Sequence, residues 1–121
     1  MKSILIADDE PNLRLLVCTT LDEPNYRLLE AEDGPDALRV AREEAPDLIL
    51  LDWMMPEMSG IEVLGSLKQE PSTAAIPVVM LTAKAQAQDR ERGMALGARA
   101  YLVKPFSPLA LMELVKEILE E

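Results

Sequence analysis

Short apolar runs rich in branched side chains alternate along this chain with stretches of helical periodicity, five of each, and this alternation narrows the fold more than any other feature. Residues 3–7, 26–30, 47–51, 77–81 and 100–103 read as buried strands, being short and dominated by aliphatic residues. Between them, Leu13, Leu16, Val17 and Leu21 give a first helix its apolar stripe. Ala37, Leu38 and Ala41 mark a second, which follows Gly34-Pro35 and ends at Pro46. Ser59, with Glu62 three residues on, predicts a capped third helix to about Lys68, followed by a loop over 71–76. A fourth helix is expected over 85–96, closed by Gly97. The fifth starts at Ser107-Pro108 and carries Leu111, Leu114, Val115 and Ile118.

Strands separated by helices pair in parallel, because each return to the sheet needs a crossover, and crossovers of this kind are right-handed. The expectation is a doubly wound α/β fold, a five-stranded parallel sheet covered on both faces, formed by residues 1–121 as one domain. In such sheets ligands sit at the carboxyl ends of the strands. Those positions hold Asp8, Asp9 and Glu10 after the first strand, Asp52 after the third, Thr82 after the fourth and Lys104 after the fifth.

Charge and missing residue types exclude several functions. With 22 acidic against 12 basic residues the net charge is −10, which disfavours nucleic-acid binding and anionic membrane surfaces. There is no histidine, so no Ser-His-Asp triad, histidine-bound zinc or phosphohistidine can come from this chain. Cys18 stands alone, without a disulfide partner and in keeping with a reducing compartment. The apolar run from Ile4 is cut by Asp8 and Asp9 before it resembles a leader, no run reaches membrane-spanning length, and a cytoplasmic protein is expected.

Taken singly, Asp52 could be a turn residue, Thr82 a helix cap and Lys104 a surface charge. Taken together they define a chemistry. Carboxylates at neighbouring strand ends repel one another and raise each other's pKa, a cost that a divalent cation offsets. Oxygen-only ligands select a hard ion, Mg2+ in the first place with Mn2+ as an alternative. A carboxylate beside such an ion can attack phosphorus, and a hydroxyl and an ammonium at Thr82 and Lys104 can bond and neutralise phosphoryl oxygens.

Asp8-Asp9-Glu10 after Ile4-Leu5-Ile6-Ala7, Leu51-Asp52-Trp53-Met54-Met55-Pro56, Ser59-Gly60, Leu81-Thr82-Ala83 and Lys104-Pro105-Phe106 together resemble the receiver domain of bacterial two-component response regulators, over essentially the whole chain. The resemblance implies the strand order 2-1-3-4-5 and a phosphorylation-activated switch rather than a turnover enzyme. It implies that Asp52 is the phosphoacceptor, and that Mg2+ is held by Asp9, Asp52 and the backbone carbonyl of Trp53, with Asp8 acting through water or as a second ligand. Lys104 then pairs with the phosphoryl group, Thr82 is the switch hydroxyl, and Tyr101 is the aromatic side chain whose rotation follows Thr82. The Lys104-Pro105 peptide is expected to be cis. Met54 and Lys84 flank the path of a hydrolytic water and should lengthen the life of the phosphoryl group. The fourth helix, polar from Gln86 to Gly93, should pack weakly and be the element that moves.

The implied partners are a sensor histidine kinase or a histidine phosphotransferase, and an effector that is either a separate protein or a fused output domain. Leu15 and Cys18, off the apolar stripe of the first helix, are expected to face the phosphodonor. Leu109, Met112 and Leu119 widen the apolar face of the fifth, as an output or dimer surface would. A phosphorylation-dependent homodimer belongs to the winged-helix transcription-factor class that the Asp52 and Lys104 segments resemble. Two departures weigh against it: Arg99 and Ala100 stand where an acidic pair is usual, and Lys116 is alone among Glu113, Glu117, Glu120 and Glu121. A flavodoxin-like carrier is disfavoured because Asp8, Asp9 and Glu10 would repel a flavin phosphate. An aspartate-nucleophile phosphohydrolase is disfavoured by the spacing of its paired aspartates and the lack of a cap domain. A purely scaffolding receiver is disfavoured by the intact acidic set.

Overall fold

A computed structural model describes residues 1–83 and 87–120. The strands are β1 (Lys2–Ala7), β2 (Tyr26–Ala31), β3 (Leu48–Leu51), β4 (Val78–Thr82) and β5 (Ala100–Val103), and the helices α1 (Pro11–Thr20), α2 (Gly34–Glu44), α3 (Gly60–Gln69), α4 (Ala87–Ala95) and α5 (Pro108–Leu119). All strand pairs are parallel and the order across the sheet is β2-β1-β3-β4-β5, as the resemblance implied.

Side-chain alternation along the strands builds two cores, one on each face. Leu5, Ile49, Leu51, Val78 and Met80 point toward α2 and α3, where they meet Leu38, Ile61, Leu64 and Leu67. Ile4, Ile6, Leu48, Leu50, Val79 and Leu81 point the other way, against Val17 and Leu21 of α1 and its C-terminal end, and Leu111, Val115 and Ile118 of α5. β3 and β4 are buried along their entire length, and their near-continuous apolar sequences are what burial on both faces requires.

Helix ends follow local chemistry. The Asp33 carboxylate accepts from the Asp36 amide at 2.8 Å, Ser59 and Glu62 form the reciprocal capping box, and Ser107 accepts from the Ala110 amide ahead of Pro108. α2 ends one residue earlier than the proline alone suggests. Ala45 closes it in the left-handed region at φ 45°, since a residue before proline avoids the right-handed helical region. The 70–76 connection is more ordered than its polar sequence indicates: the buried Thr73 hydroxyl donates to the Leu67 carbonyl at 2.7 Å, and Lys68 donates to the carbonyls of Ala74 and Ile76.

The stripe of α1 needs correction. Leu16 is 47% exposed, whereas Cys18, expected to lie off the core, packs partly buried against the α1/α5 core, and Leu15 is 66% exposed. Leu16 and Cys18 lie about 100° to either side of Val17 on the helix, so spacing cannot choose between them; the β1 and α5 surface selects the Cys18 side. On α5, Leu109 and Met112 are exposed as expected, but Leu119 packs against the core. The described part of α4 is Ala87–Ala95, ending one residue before the expected Leu96, and the expected start at residue 85 falls among residues 84–86, outside the described residues.

Candidate functional site

The loops leaving β1 and β3 bring three carboxylates together. One oxygen from each of Asp8, Asp9 and Asp52 lies within 4.8 Å of the others, and Asp8 and Asp52 are buried while Asp9 is exposed. Asp52 is placed by the sheet, its amide donating to the Ala7 carbonyl at 2.9 Å, and Asp8 likewise by its amide bond to Ala31. The Asp8 carboxylate accepts from the Glu10 amide at 2.9 Å and from Lys104 Nζ at 2.9 Å.

Lys104 lies between the two buried acids, nearer Asp8 than Asp52, whose Oδ2 is 3.4 Å away. Its backbone amide donates to the Thr82 carbonyl at 2.8 Å, which ties the ends of β4 and β5, and the Lys104-Pro105 peptide is cis. Thr82 is fully buried at the end of β4.

The β3–α3 connection is held by backbone. Gly60 donates its amide to the Trp53 carbonyl at 2.8 Å, and a Cβ at Gly60 would sit 2.0 Å from the Asp52 carbonyl oxygen, so only glycine lets α3 start here. Trp53 itself is buried, and the Arg92 guanidinium of α4 lies 5.9 Å from its ring centre. Met54, by contrast, is 59% exposed on the rim. Asp9, Trp53, Met54, Met55, Pro56 and Ser59 line an open depression of about 600 Å³ beside the acids.

Burial pushes the Asp52 carboxyl up from 3.8 to about 6; the Asp8 carboxylate adds to the rise, and Lys104 opposes it. Mutual repulsion was the expected cause; desolvation is the larger one. Three carboxylates against one ammonium, all oxygen donors within one ion's reach, suit a hard divalent cation. Asp8, Asp9 and Asp52 are the carboxylates available to hold it.

Tyr101 is buried in the α2/α3 core, with its ring against Gly93 of α4 and the Arg90 guanidinium 6.0 Å from its centre. Of the residues expected to matter, Asp8, Asp9, Asp52 and Lys104 are brought together, with Thr82 joined to Lys104 through backbone. Tyr101 lies on the α4 side of the sheet, and Lys84 falls outside the described residues. Arg14 was not singled out by the sequence: its Nη1 donates to the Asp8 carbonyl at 2.6 Å and its Nε to Glu30 at 3.1 Å. Its partners lie six and sixteen residues away and on other elements, so helical spacing gives no sign of them.

Residues 4–116 match the response regulator receiver domain family. Among curated proteins, the chain is 45% identical over 118 residues to the phosphate regulon transcriptional regulatory protein PhoB of Escherichia coli, covering 98% of this chain and 52% of that protein. It is 43% identical to the alkaline phosphatase synthesis transcriptional regulatory protein PhoP of Bacillus subtilis, covering 98% and 48%. The chain thus spans about half the length of these relatives. Among solved structures, the chemotaxis response regulator CheY4 of Vibrio cholerae superposes with a TM-score of 0.90 at 32% identity, covering 98% of both chains.

Proposed function

The chain belongs to the response regulator receiver domain family of two-component systems, and from that premise we propose that Asp52 accepts a phosphoryl group from the phosphohistidine of a sensor histidine kinase or histidine phosphotransferase. The observation that carries this is the position of Asp52: a buried carboxylate, raised to about 6, beside Asp8 and within 3.4 Å of Lys104 at the carboxyl edge of the sheet. A carboxyl with that pKa is mostly ionised at neutral pH yet more basic than an ordinary aspartate, which favours attack on phosphorus.

One Asp52 oxygen bonds to phosphorus as the bond from phosphorus to the donor nitrogen breaks, and the imidazole leaves with that electron pair. Asp8, Asp9, Asp52 and the Trp53 carbonyl would hold Mg2+ or Mn2+, which would supply positive charge for the phosphoryl oxygens. Lys104, already between the acids, exchanges its contact with Asp8 for one with the new phosphoryl oxygens. Thr82 supplies a hydroxyl to the same group from the end of β4. Tyr101 follows Thr82, and α4 with it, changing the surface made by α4, β5 and α5. Met54 on the rim hinders the hydrolytic water, with Lys84 as its counterpart. The chain assists its own phosphorylation and dephosphorylation and is not a turnover enzyme.

The output is an effector protein or a fused output domain in the cytoplasm, with a phosphorylation-dependent homodimer through the α4–β5–α5 surface as one form of it. The net charge of −10 opposes contact of this domain with nucleic acid or an anionic membrane surface, and no helix among the described residues is long and apolar enough to cross a membrane. The test is a Mg2+ titration followed by acetyl phosphate, read by Trp53 fluorescence and intact mass in the wild type and Asp52→Ala. A metal-dependent fluorescence change with one added phosphoryl group, absent from the variant, is expected. A wild type that gains no mass would overturn the proposal.

A further inference from the structure

The peptide unit joining the two acids after β1 is held by an arginine that the proposed chemistry does not use. We infer that Arg14, on α1, is a positioning residue for the cation site: by holding the Asp8 carbonyl, it sets the plane of the Asp8–Asp9 peptide and keeps both carboxylates within reach of one ion. This rests on the cation-assisted phosphoacceptor reading above and adds a residue to it.

The remaining atoms of Asp8 are already committed. Its amide is bonded to Ala31, and its two carboxylate oxygens to the Glu10 amide and to Lys104. The carbonyl is what is left to fix, and because a peptide unit is planar, fixing it also fixes the amide and Cα of Asp9. Asp9 is exposed, so solvent does nothing to hold it in place. Arg14 Nη1 donates to that carbonyl at 2.6 Å, a short charge-assisted bond. Its Nε donates to Glu30 at the end of β2, 3.1 Å away, and the side chain is only 11% exposed. Glu30 therefore keeps the guanidinium on the backbone rather than on the acids. The planar fork of arginine makes both bonds at once, which a lysine ammonium does not reproduce.

A plainer role, that of a counter-charge to three carboxylates, predicts the opposite result. Deleting a positive charge near a cation site strengthens cation binding; deleting a brace that aligns its ligands weakens it. Mg2+ titrations of the full chain, followed by Trp53 fluorescence and by calorimetry, are compared for wild type, Arg14→Met and Arg14→Lys, with melting in EDTA recorded in parallel. The expected result is a Mg2+ dissociation constant raised about tenfold in Arg14→Met, the low end of what supporting groups around a metal contribute. Arg14→Lys should recover part of that loss. At saturating Mg2+, phosphoryl incorporation from acetyl phosphate should approach the wild-type level, since the defect lies in ion binding. Unchanged or tighter binding in Arg14→Met overturns the inference; if that variant does not fold, unchanged binding in Arg14→Lys does so. In either case a wild type that binds Mg2+ and is phosphorylated leaves the phosphoacceptor reading standing. A wild type without any Mg2+ response removes both.

Discussion

α3 and α4 cover the same face of the sheet, one after β3 and the other after β4, and they are held in opposite ways. α3 buries Gly60, Ile61, Val63, Leu64 and Leu67, is closed at its start by a reciprocal capping box, and begins against the Asp52 backbone itself. Among the described residues of α4, Gly93 alone is buried, against the Tyr101 ring, and two exposed arginines lie over the rings of Trp53 and Tyr101. An element with little buried apolar area and solvent-exposed contacts opens at low free energy, and one with a continuous buried face does not. The contrast separates two mechanical situations: α3 is fixed against the backbone of Asp52, while α4 has little buried surface to hold it.

Two glycine substitutions test this contrast, one in each helix. Gly60→Ala forces a methyl onto the Asp52 carbonyl at 2.0 Å, so a loss of at least about 3 kcal/mol in urea unfolding is expected, with Mg2+ binding lost alongside. Gly93→Ala meets only ordinary contacts at 3.7 Å from Met80 and Tyr101 and gains the helix propensity of alanine. A stabilisation of about 0.5–1 kcal/mol is expected there, and a destabilisation of similar size would show α4 to be as closely seated as α3.

Between these in magnitude lies the acid that α3 supports. The folded-state pKa of Asp52 is raised from 3.8 to about 6, so the folded protein binds the proton more tightly than the unfolded chain. Its ionised form therefore costs stability above pH 6; the cost shrinks as pH falls from there to 3.8 and is absent below. Asp52→Asn should exceed the wild type by about 2 kcal/mol near pH 8 in EDTA, the two converging near pH 4. Equal stability at both pH values would mean that Lys104 already compensates Asp52 fully.

An effect of the same small size as that of Gly93→Ala is expected at the surface of α4. Arg92→Ala should cost no more than about 1 kcal/mol while shifting Trp53 emission, because an exposed guanidinium over an indole is a weak contact. If emission stays unchanged, the contact does not persist in solution, and α4 is looser than its two arginines suggest.

Most of the architecture was legible because strands buried on both faces have no way to disguise themselves. Leu48 to Leu51 and Val78 to Thr82 are apolar throughout or nearly so, and the helices between them have caps that can be read residue by residue. Asp8, Asp9, Asp52, Thr82 and Lys104 were legible for a related reason: each lies at or within two residues of the carboxyl end of a strand, and parallel strands place those ends on one edge. Less legible were residues acting through backbone across the fold, such as Thr73 on the Leu67 carbonyl or Arg14 on that of Asp8, since a carbonyl leaves no mark in a sequence.

By itself, then, the sequence determined the number and kind of elements, their parallel arrangement, and the set of side chains delivered to the strand ends, because periodicity and capping are local properties of the chain. Only the tertiary structure decided that Cys18 rather than Leu16 turns inward, that Lys104 rests nearer Asp8 than Asp52, and that burial outweighs repulsion in raising Asp52. Each of those outcomes is a competition between alternatives that local spacing leaves equal, settled by which surfaces come together and how far they shut out water.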